Sequence, residues 1–184
     1  MNLIEKHPFD SFIPDNATKL IIGSFPGMDQ VANRQNQEEW YYTTKNNLFW
    51  TILSEVFQTE VNTRKQKEKL LSEQKIAITD ILTKVRRTEK SNLDKYLTDM
   101  EFNKSIASII ENNKIDKLFF TSKFVEKHFI REYPQFKFGI CLPSPSQAAN
   151  RSISKTMDYK IYKQLNPDGN TLKYRVDCYK KLLS

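Results

Sequence analysis

Three stretches of this chain carry residue types that could do chemistry. In the first, the apolar run Leu20-Ile21-Ile22 is followed by Gly23-Ser24-Phe25-Pro26-Gly27. Such a run reads as a buried strand, and the Gly, Pro and Gly after it end the strand in an exposed loop. Glycine there lets backbone N–H groups approach a phosphate, a base edge or a water, while a plain tight turn is the competing meaning. No Gly-Lys-Ser/Thr or Gly-x-Gly is present, so the loop is neither a P-loop nor a dinucleotide fingerprint. The second stretch, Trp40 to Trp50, puts Tyr41 and Tyr42 just before Asn46 and Asn47. The Asn47 amide can hydrogen-bond a base edge or orient a water, has no useful pKa as a general base, and equally suits a helix cap. The third is Pro143-Ser144-Pro145-Ser146. Its hydroxyls can bond phosphate oxygens, or the prolines can simply make a turn.

The elements that must position these stretches follow from periodicity. Pro8 and Pro14 make residues 1–18 an irregular arm, and residues 28–40, polar and aperiodic, a surface loop. From Asn46 onward, Leu48 or Phe49, Ile52, Leu53 and Val56 recur at helical spacing, so an amide sits at a helix start. A polar helix is expected over residues 63–74, with lysines and an arginine on its solvated side. A second strand over residues 76–82 runs into a basic loop at residues 84–87. Helices over 102–112 and 122–129 flank a third strand at 117–121, and a fourth strand covers 136–142. Beyond Lys155 come a turn at residues 166–170 and a final helix over 172–183. Strands alternating with helices imply an α/β domain with a mainly parallel four-stranded sheet covered on both faces.

Composition narrows the function classes. The 184 residues suit a single domain, residues 155–184 packing on it as a C-terminal extension. A formal net charge of +7, interspersed with aromatic residues, favours a phosphate-rich partner such as DNA. No apolar run reaches membrane-spanning length, and Glu5, His7 and Asp10 occupy the place of a signal core, so a cytoplasmic monomer is expected. Cys141 and Cys178 read as ordinary thiols, and His7 and His128 are too far apart to suggest a metal site. No metal or cofactor is expected.

Taken together, four motifs resemble the uracil-DNA glycosylase superfamily, and within it most the hypoxanthine-DNA (deoxyinosine) glycosylase branch. They are Gly23 to Gly27; Tyr41-Tyr42 with Asn47, Phe49 and Trp50; Ile76 to Leu82 with Asp80, Arg86, Arg87, Leu93 and Asp94; and Leu142 to Ser146 with Ala149 and Asn150. The match runs in order from His7 to Arg151. The resemblance implies a three-layer α/β/α sandwich with the site at the carboxyl ends of the strands. It further implies Asn47 as the catalytic group, and a base pocket made from Ser24, Phe25, Pro26, Gly27, Tyr42, Thr121 and Leu142, with Tyr42 stacking on the flipped base. Ser144, Ser146, Asn150, Arg151, Arg86 and Arg87 are then the DNA contacts, Arg151 filling the gap that Ala148 and Ala149 are too small to fill.

The sequence departs from the superfamily at four places, among them Thr44-Lys45 where His-Pro is usual before the Asn and Thr121-Ser122 where Asn-Gly often follows the third strand. Phe25 stands where many members hold the attacking water with Asp or Asn, and Leu142 stands where the uracil enzymes carry a base-supporting His. The expected substrate is therefore DNA containing a deaminated base, hypoxanthine before uracil. No motif places a lysine for Schiff-base chemistry. A DNA-binding protein without catalysis, and an enzyme acting on a nucleoside or another modified base, remain open on the same residues.

Overall fold

The apolar run at Leu20–Ile22 becomes the centre of the molecule. In a computed structural model of the protein, which describes residues 3–183, the chain opens with β1 (Ile4–Lys6), β2 (Lys19–Gly23), α1 (Met28–Ala32), α2 (Phe49–Phe57) and α3 (Arg64–Glu73). There follow β3 (Ile76–Asp80), β4 (Leu82–Arg87), β5 (Leu97–Phe102), α4 (Ile106–Asn112), β6 (Lys117–Phe120) and α5 (Lys123–Glu132). The chain closes with β7 (Ile140–Cys141), α6 (Asn150–Ile153), α7 (Met157–Leu165) and α8 (Thr171–Leu183).

β3, β2, β6 and β7 lie in that order in an all-parallel sheet. Successive side chains of a strand point to opposite faces. Leu20, Ile22, Leu118 and Phe120 accordingly join one apolar cluster with α4 and α5, and Ile21, Ile78 and Phe119 join another with α2, α3 and α8. Both faces are covered, which is why β2 reads as an unbroken apolar run. The result is the expected α/β fold, a parallel sheet between two helical layers.

Several local expectations change. Residues 1–18 are not wholly irregular, because β1 pairs antiparallel with β4. The basic segment at residues 84–87 is not a loop but part of the middle strand of a second sheet, β1-β4-β5. Its charges are matched across strands, Lys84 with Glu101 and Arg86 with Asp99, each at 2.6 Å, while Leu82 and Val85 are fully buried. Phe102 ends β5 instead of opening a helix. α4 starts only at Ile106, after Asn103 Oδ1 accepts the Ser105 N–H at 3.1 Å. Within residues 28–40 lies the short α1, where Gln30 Oε1 accepts the Gly27 N–H at 2.8 Å. The fourth strand shrinks from residues 136–142 to Ile140–Cys141, and residues 155–184 contain α7 as well as the final helix.

Candidate active site

The parallel strands end on one side of the sheet, and there the loops enclose an open cavity of about 680 Å³. Its walls come from Ser24–Gly27, Tyr42, Asn46–Asn47, Ser91–Asp94 and Ser144–Ala149, and its floor from Asp80 and Thr121. Clefts at the carboxyl ends of parallel strands are the usual ligand sites of such sheets.

Asp80 is the last residue of β3, level with Gly23 at the end of β2. It is only 4 % exposed. Its Oδ2 accepts from His7 Nε2 at 2.9 Å, and His7 Nδ1 accepts the Phe9 N–H at 3.1 Å. With Nδ1 used as an acceptor, the ring proton belongs on Nε2 and His7 is the donor to Asp80. Asp80 Oδ1 is buried and has no hydrogen-bond partner among the described residues. A Cβ on residue 23 would lie 2.1 Å from both Asp80 Oδ1 and the Tyr42 hydroxyl, so Gly23 is what lets these two groups converge.

Tyr42 holds a left-handed backbone, φ 58°, at a cost of about 1–2 kcal/mol for a side chain of this kind. Strain of this sort persists where the surroundings fix it. Here the ring packs on Phe49 with centroids 4.3 Å apart, and the hydroxyl reaches Thr121 Oγ1 at 3.5 Å. Burial, and then the Asp80 charge, raise the Tyr42 pKa well above the usual phenol value, so it stays a neutral donor. On the opposite rim Asp94 is also pushed up by burial, against opposing hydrogen bonds from Ser24 and Ser122.

Asn47 lies one residue before the N-cap of α2, Leu48. Its Oδ1 accepts the Phe49 N–H at 3.0 Å, an Asx turn that fixes the amide plane. The amide half left to act on a ligand is therefore the Nδ2 donor. Backbone bonds from Leu48 N–H to Pro145 O (2.9 Å) and from Gln147 N–H to Asn46 O (3.0 Å) tie this turn to the serine loop. Asn47 and Ser146 form an isolated antiparallel bridge. Among the described residues, no three His, Cys, Asp or Glu side chains are grouped as metal ligands would be.

No family model matches the chain, and no curated protein matches it. Among solved structures, the solution NMR structure of a candidate uracil DNA glycosylase from Methanosarcina acetivorans superposes with a TM-score of 0.64. The two are 20 % identical, over 95 % of this chain and 99 % of that one. The chain shares that protein's fold.

Within that fold the cavity gathers Ser24, Phe25, Pro26, Gly27, Tyr42, Asn47, Thr121, Ser144 and Ser146 of the residues singled out from the sequence. Leu142 is not among its lining: it is 2 % exposed and packs in the core cluster with Ile21 and Phe119. Arg87 is buried, not presented to solvent. Its guanidinium bonds Glu5 (2.9 Å), Ser91 O (3.1 Å) and Pro26 O, and so braces two walls of the cavity. Arg86 pairs with Asp99 on the second sheet. Asn150 is half-buried, with Oδ1 on Arg175, and only Arg151 of this group is exposed. His7, Asp94 and the floor role of Asp80 escaped the reading of sequence. Asp80 and Asp94 stood inside quoted motifs, but His7 meets Asp80 across 73 positions, which no local spacing reports.

Proposed function

We propose that the protein is a monofunctional DNA glycosylase that hydrolyses the N-glycosidic bond of a deaminated base flipped out of DNA, hypoxanthine before uracil. The observation that carries this reading is the cavity at the strand ends, which gathers Phe25, Tyr42, Asn47 and the serine loop over the Asp80 carboxylate. Deamination converts the bare ring nitrogen of adenine N1 or cytosine N3 into an N–H donor. A buried acceptor is satisfied by that N–H and is set against a lone pair by the parent base, a mismatch that polar sites reject strongly. Tyr42 and Phe25 supply rings for the base, each stacking contact being worth about 1–3 kcal/mol.

In hydrolysis, water adds to C1′ as the C1′–N9 bond breaks, the electron pair departs with the base, and the proton lost by the water balances the one that neutralises the released base. The Asn47 Nδ2 donor is suited to the negative charge that grows on the leaving base. Among the described residues no lysine lines the cavity, in keeping with hydrolysis instead of a Schiff-base route. Preference for hypoxanthine over uracil rests on the motif resemblance and on Leu142, which sits in the core where the uracil enzymes carry a His.

The test is a strand-cleavage assay, after alkali, on duplexes carrying hypoxanthine, uracil, xanthine or ethenoadenine against adenine controls. Cleavage at hypoxanthine and none at adenine is the expected pattern; a protein that binds all the duplexes and cleaves none is a binding protein. Binding itself is expected to be electrostatic. Lys45, Lys90 and Arg151, all exposed, flank the loops of the cavity. Neutralising about three to five phosphates gives a log-log salt slope of about −3 to −5. An affinity unchanged between low and physiological salt would contradict it.

A further inference from the structure

Arg175, on the inner face of α8, is fully buried, and every partner it has is neutral. Nε donates to Ser144 O at 2.7 Å, Nη2 to Ser146 O at 3.0 Å, and Nη1 to Asn150 Oδ1 at 2.8 Å and Thr171 O at 3.1 Å. One turn further along α8, the Tyr179 hydroxyl donates to Pro143 O at 3.1 Å. The carbonyls of Pro143, Ser144 and Ser146 are thus all turned toward α8, and that of Pro145 is held by Leu48. A planar fork of fixed donors sets several acceptors at once in a way that a lysine ammonium cannot.

We infer that Arg175 is a positioning residue for the active site: it sets the Ser144–Asn150 loop and, through the Ser146–Asn47 bridge, the direction of the Asn47 amide. This rests on the glycosylase reading above. Its physical basis is a short series of bonds from α8 to the amide: guanidinium to Ser144 O and Ser146 O, the intervening Pro145 O to the Leu48 N–H and the Gln147 N–H to Asn46 O on either side of the bridge, and Asn47 Oδ1 to the Phe49 N–H. The withdrawal of four carbonyl oxygens into the protein also leaves the Ser144 and Ser146 hydroxyls, not the carbonyls, for a phosphate. In this account α8 is part of the machinery, not an appendage.

The experiment is a double-mutant cycle between Arg175→Lys and Asn47→Ala, read as single-turnover excision of hypoxanthine, with melting temperatures alongside. If Arg175 acts through Asn47, Arg175→Lys lowers the rate about 10- to 100-fold in the wild-type background, the scale of a misplaced group. In the Asn47→Ala background it then costs less than about 3-fold, because coupled residues are non-additive. Lys19→Met is the comparator, since Lys19 Nζ bonds Leu183 O at 2.7 Å at the other end of α8. It is expected to lower the melting temperature and leave the rate of the folded protein unchanged. Wild-type rate in Arg175→Lys, or equal losses in both backgrounds, overturns the inference. Should Arg175→Lys not fold, Tyr179→Phe, which removes only the bond to Pro143 O, is put through the same cycle, with a loss of about 3-fold expected in the wild-type background and none in Asn47→Ala, and equal losses in both overturning the inference. A wild-type protein that excises no base from any of the duplexes overturns the functional reading instead.

Discussion

Asp80→Asn is expected to lower hypoxanthine excision by at least about 10³-fold, somewhat less than the roughly 10⁴–10⁵ by which sites built to hydrogen-bond a substrate group reject an analogue lacking it. His7 still needs an acceptor, so the new carboxamide keeps its oxygen on His7 Nε2 and puts its NH2 where the buried Asp80 Oδ1 now lies, beside the Tyr42 hydroxyl under the cavity floor. The floor changes from acceptor to donor. It then opposes the N1–H of hypoxanthine and matches the lone pair of adenine, so discrimination between the two narrows as the rate falls. The substitution adds no volume and removes a buried charge, so the variant should melt close to wild type. Single-turnover rates on hypoxanthine and adenine duplexes, with thermal melts, test this. An Asp80→Asn protein that keeps both its rate and its selectivity would show that the floor does not read the base.

Asn47→Ala is expected to cost about 10²–10³ in single-turnover rate, the effect of losing one preorganised donor. It also removes the bond to the Phe49 N–H and with it about 0.5–2 kcal/mol of stability, as for other lost helix-start contacts. Asn47→Asp separates the two effects. Its carboxylate can keep the Phe49 bond while putting an acceptor where Nδ2 was, so stability should hold and the rate should fall as far as in Asn47→Ala. A stable Asn47→Asp protein with undiminished rate would leave Asn47 as a structural turn alone.

Much of this was legible in the chain because strands and helices carry their own periods. β2, β3 and β6 stand out as apolar runs ended by turn residues, and α2 shows its buried face at helical spacing. The second sheet was not legible, since Lys84, Arg86 and Arg87 look like solvated charge until their partners Glu101, Asp99 and Glu5 are brought alongside. The same holds for the site. Residues in the loops could be picked out by type and place, but the inward turn of Arg87, the burial of Leu142 and the pairing of His7 with Asp80 are products of tertiary packing. Arg175 shows the difficulty best: in sequence it is one more positive charge on an amphipathic helix, and in the fold it is wholly enclosed.

His7 and Arg175 come from opposite ends of the described chain, yet both support one cavity. During synthesis, the sheet and the loops around Asp80 and Asn47 emerge well before α8. At about 5–20 residues per second, the interval between the serine loop and the last turn of α8 is about 2–8 s. For that time a nascent chain lacks both the helix that covers the Ile21, Ile78 and Phe119 face of the sheet and the donors that turn the carbonyls of Pro143, Ser144 and Ser146 inward. On the glycosylase reading, chains stalled on the ribosome before residue 171 should be inert toward DNA damage, because they lack the donors of Arg175 and Tyr179.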